Sequence, residues 1–292
     1  MRNFVGCVTM ELVDHELGLT FPMLVLYPTD TPSRVEHLGP FPLEVALDAP
    51  VREGRFPVVL ISHGSGGTHL GYRTLAHYLA QHGFIVGSPE HPFNNRHDNR
   101  WQGTVQNLRA RPRHLRLAID GLVESPRFAK AVRPAAVALI GHSMGGHTAL
   151  ALAGGVPTSF AREALNGRPQ QVATAPDGRV KALVLLAPAA VWFREAGALR
   201  GVHVPILMLA AEHDEFTPAF HAQLVLDGVG NRAGLEYRVV PNAGHFSFLS
   251  PFPAAMNNPA FPPSQDPPGF DRARFHRELN TEVLAFLRRT LS

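Results

Sequence analysis

Short, continuous apolar runs alternate with helical patterns along most of the chain, and this alternation limits the fold more than any other feature. Three such runs are "FPVVLIS" at 56–62, "FIVGS" at 84–88 and "VALI" at 137–140. An uninterrupted apolar run is typical of a strand buried on both faces, as in a parallel sheet covered by helices. Further strands are expected at 180–186, 204–210 and 235–240, and helices near 70–82, 112–125, 144–153, 216–226 and 275–287. The sequence therefore predicts an α/β fold with helices on both faces of a mostly parallel sheet.

The remaining segments do not follow this alternation of strands and helices. Two β-rich runs at 4–13 and 19–27 predict an antiparallel hairpin at one edge of the sheet. The Pro-rich stretch 28–55 is expected to be irregular. Residues 156–179 are a candidate small cap or excursion, and residues 251–269 a Pro-rich, semi-rigid wrap. Since no linker divides two cores, residues 1–292 are expected to form one α/β domain.

The composition of the chain limits its expected binding partners and its expected cellular compartment. The chain has 27 basic and 24 acidic residues, and its longest basic cluster, at 109–116, is short, lacks interleaved aromatic residues and is expected at a solvated helix start. Nucleic acid is therefore not an expected partner. The single cysteine, Cys7, excludes an internal disulfide. We see no signal peptide and no apolar run of about 18 residues, so the sequence predicts a cytoplasmic protein without an integral membrane segment. It does not indicate an oligomeric state.

The pentapeptide "GHSMG", with Ser143 at its centre, stands between a predicted strand and a predicted helix and fits the pattern G-x-S-x-G. In this pattern the serine occupies a turn too sharp for side chains at its flanks, which lifts the hydroxyl above the carboxyl end of the sheet. The helix that follows points its free amides and positive dipole end toward an anion formed beside the serine. A small-residue turn can match the pattern by chance, but the strand before it and the helix after it favour a nucleophile at Ser143.

A serine hydroxyl is a weak nucleophile and needs a base that a third group orients. The stretch "PILMLAAEHDEFTP" places Asp214 in a loop after a strand, with Glu212 and Glu215 as competing carboxylates. The stretch "YRVVPNAGHFSFL" places His245 in a glycine-containing loop after the last predicted strand. Asp214 is preferred because of its distance beyond the last apolar strand position. The chain order Ser143, Asp214, His245 belongs to this kind of sheet.

The oxyanion that forms on an attacked carbonyl needs hydrogen-bond donors already in place. We expect one of them to be the backbone N–H of Met144. The other is expected in the glycine-rich loop "HGSGG" at 63–67, where the N–H of Ser65 is the first choice and that of Gly66 the second. This loop is not a phosphate-binding P-loop, because no G-K-[ST] follows it.

Histidines in two loops raise the alternative of a metal enzyme. His63 and His69 share one loop, and His91, His97 and Asp98 share another. Their spacing fits no standard zinc pattern. We therefore expect catalysis without a metal ion or another cofactor.

In their order along the chain, "VVLISHGSGG", "GHSMGG", the Asp214 segment and "NAGHFSF" resemble the α/β-hydrolase superfamily over nearly the whole length. More narrowly, "HGSGGTHLGYRTLAHYLAQHGFIVGSPEHPFNN" and "DPPGFDRARFHRELNTEVLAFLRR" resemble the proteins labelled predicted dienelactone hydrolases, which are related to platelet-activating-factor acetylhydrolases and more distantly to cutinase-like polyester hydrolases. The resemblance implies an eight-stranded core and cofactor-free hydrolysis of a carboxylic ester, with Ser143, Asp214 and His245 as the triad. Dienelactone hydrolases use a cysteine nucleophile, whereas this chain has serine, so the label does not give the substrate.

The sequence thus predicts a serine hydrolase that cleaves carboxylic esters of small molecules through an acyl-enzyme intermediate. Short-chain or small acyl esters are expected, because no long apolar lid helix is visible. Acyl transfer, thioester or amide hydrolysis and lipid acetyl hydrolysis use the same machinery and stay open, as does a catalytically silent ligand-binding protein of this fold. The candidate substrate-pocket residues are Gly66, His142, Trp192, Phe246 and Phe248.

Overall fold

The computed structural model describes residues 3–291, in which ten strands form one sheet and five α-helices cover it. The strands are β1 (Phe4–Asp14), β2 (Leu19–Thr29), β3 (Arg34–Leu38), β4 (Phe41–Leu47), β5 (Phe56–Ser62), β6 (Ile85–Pro89), β7 (Val132–His142), β8 (Val180–Leu186), β9 (Ile206–His213) and β10 (Leu235–Gly244). The α-helices are α1 (Arg73–Gln81), α2 (Val105–Glu124), α3 (Met144–Leu152), α4 (Phe220–Gly228) and α5 (Arg272–Thr290).

The strand order across the sheet is β10-β9-β8-β7-β5-β6-β2-β1-β4-β3. Strands β5 to β10 run parallel to their neighbours, and β2 joins β6 in antiparallel orientation. The predicted hairpin of β1 and β2 is confirmed, with Phe4 opposite Thr29 and Asp14 opposite Leu19. Because parallel strands end at the same edge of a sheet, the loops after β5, β7, β9 and β10 gather there. This edge therefore positions the predicted site residues.

The continuous apolar runs are explained by burial on both faces of the sheet. Successive side chains of a strand point to opposite faces. In β5, Val59 and Ile61 face a core shared with α1 and α5, whereas Val58 and Leu60 face a core shared with α2, α3 and α4. The predicted α/β class with helices on both faces is confirmed.

The sheet has ten strands rather than eight, because the stretch expected to be irregular contains β3 and β4. These two strands form an antiparallel hairpin, and β4 extends the sheet by pairing in parallel with β1 at Gly6–Ala46 and Cys7–Leu47. In β4, Phe41, Leu43 and Val45 alternate with more exposed residues and face the core. The surrounding prolines hide this alternation in the sequence.

Helix α2 begins earlier than predicted. The sequence predicts a helix that starts at Pro112, but the helix begins at Val105 and Pro112 lies inside it. Thr104 is the N-cap, and its Oγ1 accepts a hydrogen bond from the Asn107 amide at 3.2 Å. Proline has no N–H to donate, so the helix loses one backbone hydrogen bond at this point. The polar residue at the cap, rather than the proline, marks the start.

Two irregular segments contribute residues to the loop-bearing edge of the sheet. Residues 156–179 contain a 3₁₀ turn at Ala161–Glu163, and a bridge between Thr158 and Gln171 closes part of the segment. Residues 251–269 contain 3₁₀ turns at Ala254–Met256 and Pro262–Ser264. Between residues 3 and 291, no helix combines the length and the apolar character needed to cross a membrane.

Candidate active site

Ser143 lies on a strained turn between β7 and α3. Its φ of 53° and ψ of −120° fall in a region that non-glycine residues rarely adopt, which costs about 1–3 kcal/mol. The glycines on either side are required for space. A Cβ on Gly145 would lie 1.9 Å from the Ser62 carbonyl oxygen, and one on Gly141 would lie 2.2 Å from the Gly145 carbonyl oxygen. The Ser143 amide donates to the Leu186 carbonyl at 3.1 Å, which helps to hold the turn.

Asp214 and His245 are joined by a hydrogen bond of 2.8 Å between Oδ2 and Nδ1. Oδ1 of Asp214 accepts the amides of Phe216 and Thr217 at 2.9 and 2.7 Å, and Oδ2 accepts the Thr217 hydroxyl at 2.8 Å. Burial would raise the pKa of Asp214, but the hydrogen bonds from His245 and Thr217 and the attraction of the imidazole outweigh it and lower that pKa to about 2. The ionised carboxylate only accepts, so Nδ1 of His245 carries the proton and Nε2 of the neutral ring is free to accept one.

The two competing carboxylates lie apart from His245. Glu212 is exposed and accepts the Asn242 amide at 2.7 Å. Glu215 is exposed as well. Of the three acidic candidates, the structure brings only Asp214 to the imidazole.

His142 connects the serine turn to the loop that carries His245. Its Nε2 donates to the His245 carbonyl oxygen at 2.9 Å, and its Nδ1 accepts the Tyr72 hydroxyl at 2.7 Å. Burial, with the nearby His245 imidazole, lowers the pKa of His142 to about 3. The ring is therefore neutral near neutral pH, with its single proton on Nε2.

The predicted oxyanion donors lie on two segments that meet at the serine. The loop at 63–67 passes close to it, since a Cβ on Gly64 would lie 3.2 Å from Cβ of Ser143. Met144 begins α3, and amides in the first turn of a helix have no partner within the helix. Ser65 and Met144 border the same cavity as Ser143. The Ser65 hydroxyl accepts a hydrogen bond from Nδ2 of Asn94 at 2.9 Å.

Arg111 lies beneath both segments and is fully buried, although its cluster was expected at a solvated helix start. Its guanidinium donates to Oδ1 of Asn94 at 2.7 Å, to Oγ1 of Thr148 at 2.9 Å and to the His63 carbonyl oxygen. Thr148 in turn donates to the Met144 carbonyl oxygen at 3.0 Å. Burial lowers the pKa of Arg111 to about 9. These polar acceptors, drawn from distant parts of the chain, explain why the expectation was wrong.

Two cavities meet at Ser143 and Ser65, which border both of them. The first, the aromatic cavity, has a volume of about 250 Å³ and includes His245 in its wall. The second, the polar cavity, has a volume of about 460 Å³. The apolar wall of the aromatic cavity includes Phe41, Tyr72, Phe246, Leu249, Phe252 and Phe261. The second cavity is called polar because its lining includes Gln102, Asn107, Arg162, Glu163 and His221. Its wall also contains apolar residues, including Leu108, Met144, Phe160, Val191, Trp192 and Phe216.

The predicted pocket residues divide between these cavities, with one exception. Gly66, His142 and Phe246 border the aromatic cavity, and Trp192 borders the polar cavity. Phe248 borders neither. It is 1% exposed and its ring packs edge-on against Phe275, so its assignment to the pocket was wrong. The sequence analysis missed Phe41, Leu249, Phe252 and Phe261 in the aromatic cavity and Asn107 in the polar cavity.

Two histidines of the metal alternative, His63 and His91, are engaged by other partners. Nδ1 of His63 donates to the Gly64 carbonyl oxygen at 2.7 Å, and its Nε2 accepts the His91 amide at 3.0 Å. Nε2 of His91 lies 2.8 Å from Oγ of Ser62. Over the described range 3–291, no group of three or more His, Cys, Asp or Glu side chains is arranged to hold a metal ion.

The sheet order, the serine turn at the end of a central strand and the later acidic and histidine loops define the α/β-hydrolase fold, which is the fold that the sequence resemblance implies. The family model described as chlorophyllase matches residues 28–167, just under half of the chain. Among solved structures, the chain is similar to a ferulic acid esterase from Streptomyces cinnamoneus, with a TM-score of 0.75 and 20% sequence identity over 100% of this chain and 91% of that one. A search of curated proteins gives no match.

Proposed function

We propose that this protein hydrolyses carboxylic esters of small molecules, with Ser143 as the nucleophile, His245 as the base and Asp214 as the group that orients the base. One observation carries the proposal: a serine on a strained strand–helix turn shares a cavity with a histidine whose other nitrogen is bound by a buried carboxylate. Short-chain or small acyl groups fit a cavity of about 250 Å³.

In the first half of the reaction, Nε2 of His245 takes the hydroxyl proton while Oγ of Ser143 attacks the ester carbonyl carbon. The carbonyl oxygen becomes an oxyanion beside the amides of Ser65 and Met144. The imidazolium, stabilised by Asp214, gives its proton to the departing alkoxide, and the alcohol leaves an acyl group on Ser143.

In the second half, Nε2 of His245 takes a proton from water, and the hydroxide oxygen attacks the acyl carbon. The tetrahedral adduct collapses, Oγ of Ser143 leaves and is reprotonated by the histidine, and the carboxylic acid is released. A fixed oxyanion donor typically contributes about 10²–10³ in turnover, so the two amides supply a large share of the acceleration.

The comparison with solved structures supports the ester hydrolysis in this proposal, since the similar structure is described as an esterase. We also propose that the protein is cytoplasmic, as the sequence predicts.

The proposal is tested with p-nitrophenyl esters from acetate to decanoate, assayed with the wild type and with Ser143→Ala. We expect turnover that is highest for the shorter acyl chains and is abolished in the variant. Rapid quenching followed by mass spectrometry should find the acyl group on the peptide that contains Ser143. Analysis of products with and without added alcohol separates hydrolysis from acyl transfer. Full activity of Ser143→Ala would refute the nucleophile and the mechanism with it.

A further inference from the structure

Strand β10 is an outer strand of the sheet, and one of its sides is open for pairing. It stands at one end of the strand order, and among the described residues 3–291 it pairs with β9 alone. The backbone groups on its other side therefore have no strand partner. Such an edge is a template for pairing with a strand of another chain.

The open strand also carries large apolar side chains that contact solvent. Tyr237 is 37% exposed and Val239 is 45% exposed, and both lie on the same face of β10 as the half-buried Leu235. Single exposed apolar residues are common, but a row of them along a free edge is a surface that a partner strand buries. The outer strand at the other end of the sheet, β3, is shorter and has one exposed large apolar residue, Val35.

The opposite face of β10 carries two charges of opposite sign, and each is paired with a residue of α5. Oε1 of Glu236 accepts Nη2 of Arg289 at 2.8 Å, and Nε of Arg238 donates to Oε1 of Glu282 at 2.9 Å. The side chains of Glu236 and Arg238 are still 55% and 38% exposed. Each of them is therefore open to a further partner of the opposite charge.

These two charges select one register for pairing with a second copy of the chain. In an antiparallel pair centred on Tyr237, Glu236 of each copy lies opposite Arg238 of the other, and Leu235 lies opposite Val239. A pair centred one residue earlier or later places Glu236 against itself or Arg238 against itself, and like charges directly opposite are destabilising. A patch that complements itself in this way fits an identical chain, because a two-fold interface joins the same surface of both subunits.

We propose that the outer side of β10 is an interface at which two copies of this chain pair in antiparallel orientation, centred on Tyr237. Residues 235–239 form the pair, and they lie at the opposite end of β10 from His245. The candidate active site of each copy is thus outside the strand pair. The tests below measure association alone, so their outcome does not depend on the proposed ester hydrolysis.

The two charges provide the first test, by sedimentation velocity over a wide range of protein concentration. The wild type should form a species with twice the mass of one chain. Glu236→Arg and Arg238→Glu each create two like-charge pairs, and each should raise the Kd of the dimer by about tenfold or more. An equal mixture of the two variants again has opposite charges at both positions and should dimerise as the wild type does. A monomeric wild type, or a mixture that associates no better than either variant alone, overturns the inference.

Cysteine substitution tests the register. Directly opposite residues of an antiparallel pair have Cα atoms about 4.5–5.5 Å apart, which a disulfide spans. Under mild oxidation, Tyr237→Cys should form a cross-linked dimer, whereas the two cysteines of Val239→Cys are about 13 Å apart along the pair and should not cross-link. The native Cys7 is 2% exposed, so the wild type should give no cross-link. Val35→Cys is the control at the other edge. Cross-linking of Val239→Cys or Val35→Cys as strong as that of Tyr237→Cys overturns the proposed interface.

Discussion

Nε2 of His142 donates a hydrogen bond to the backbone carbonyl oxygen of His245 across 2.9 Å. The residue next to the proposed nucleophile thus holds the loop of the proposed base, and the Tyr72 hydroxyl fixes the orientation of its ring. Because the pKa of His142 is lowered to about 3, both hydrogen bonds persist over the pH range of an ordinary assay. His142 is therefore a positioning group that does not take part in proton transfer.

We expect His142→Phe to lower kcat by about ten- to a hundredfold, because small displacements of a catalytic group have effects of this size. Tyr72→Phe leaves the bond to the His245 carbonyl in place and should cost less. Steady-state kinetics with p-nitrophenyl butyrate provide the measurement, and circular dichroism checks the fold. Equal kcat values for His142→Phe and the wild type would show that the His245 loop does not depend on this bond.

Replacement of Asp214 by asparagine tests how the base is oriented. The amide of Asp214→Asn does not carry the charge that stabilises the imidazolium and favours the wrong tautomer of His245. We expect kcat to fall by about 10⁴. Glu215→Gln is the matched control, because Glu215 is exposed and close in sequence, and it should behave as the wild type. A similar loss in both variants would assign the effect to the loop rather than to the carboxylate.

Chain order and the distance of Asp214 beyond the end of its strand were enough to pair Asp214 with His245, because strands, turns and the edge at which parallel strands end are encoded locally. The cavity walls could not be predicted in this way. Phe246 and Phe248 lie in one 3₁₀ turn without a regular alternation, and only the packing of Phe248 against Phe275 decides which ring faces the core. The rings of Phe41 and Phe252 come together from segments that have no sequence relation.

The burial of Arg111, a charged residue, could not be predicted from the sequence either. In the sequence it belongs to a basic cluster that looks solvated. Its burial depends on acceptors from other parts of the chain, including Asn94, Thr148 and the His63 carbonyl. A single sequence gives no sign that these acceptors surround one helix position.

Buried histidines should make the fold sensitive to acid. Burial lowers the pKa values of His114, His142 and His147 to about 3, and those of His221 and His276 to about 4. In the unfolded chain a histidine has a pKa of about 6.5. Between these values the unfolded state binds more protons, so the free energy of unfolding falls with acidification below pH 6.5, by about 1.4 kcal/mol per pH unit for each histidine. The stability they confer is fully present above that pH.

His147 isolates one of these contributions, since neither of its ring nitrogens has a hydrogen-bond partner within residues 3–291. In His147→Leu, the loss of unfolding free energy between pH 7 and pH 5 should be smaller than in the wild type by about 2 kcal/mol. Urea unfolding at both pH values measures this, and His15→Leu makes the same change at an exposed position. An identical loss in His147→Leu and the wild type would contradict the prediction.

Arg111 is expected to hold the two proposed oxyanion amides in place. It donates to the His63 carbonyl just before the Ser65 loop, and through Thr148 it reaches the first turn of α3. In Arg111→Met, the acceptors on His63 and Asn94 lose a donor, which costs about 1–3 kcal/mol each. We expect kcat to fall by about a hundredfold while KM changes little, because the amides act on charge that develops in the transition state.

A boronic acid that forms a tetrahedral adduct with Ser143 distinguishes displacement of the two oxyanion amides from a loss of protein stability. If the amides are displaced, its Kd should rise in Arg111→Met by about the factor lost from kcat/KM, because both report binding of a tetrahedral species. Unfolding alone would reduce the number of sites and leave the Kd of the folded molecules unchanged. Arg111→Lys keeps the charge but lacks the planar fork of donors, so its effect should be intermediate. Arg109→Met removes an exposed arginine from the same helix and should match the wild type.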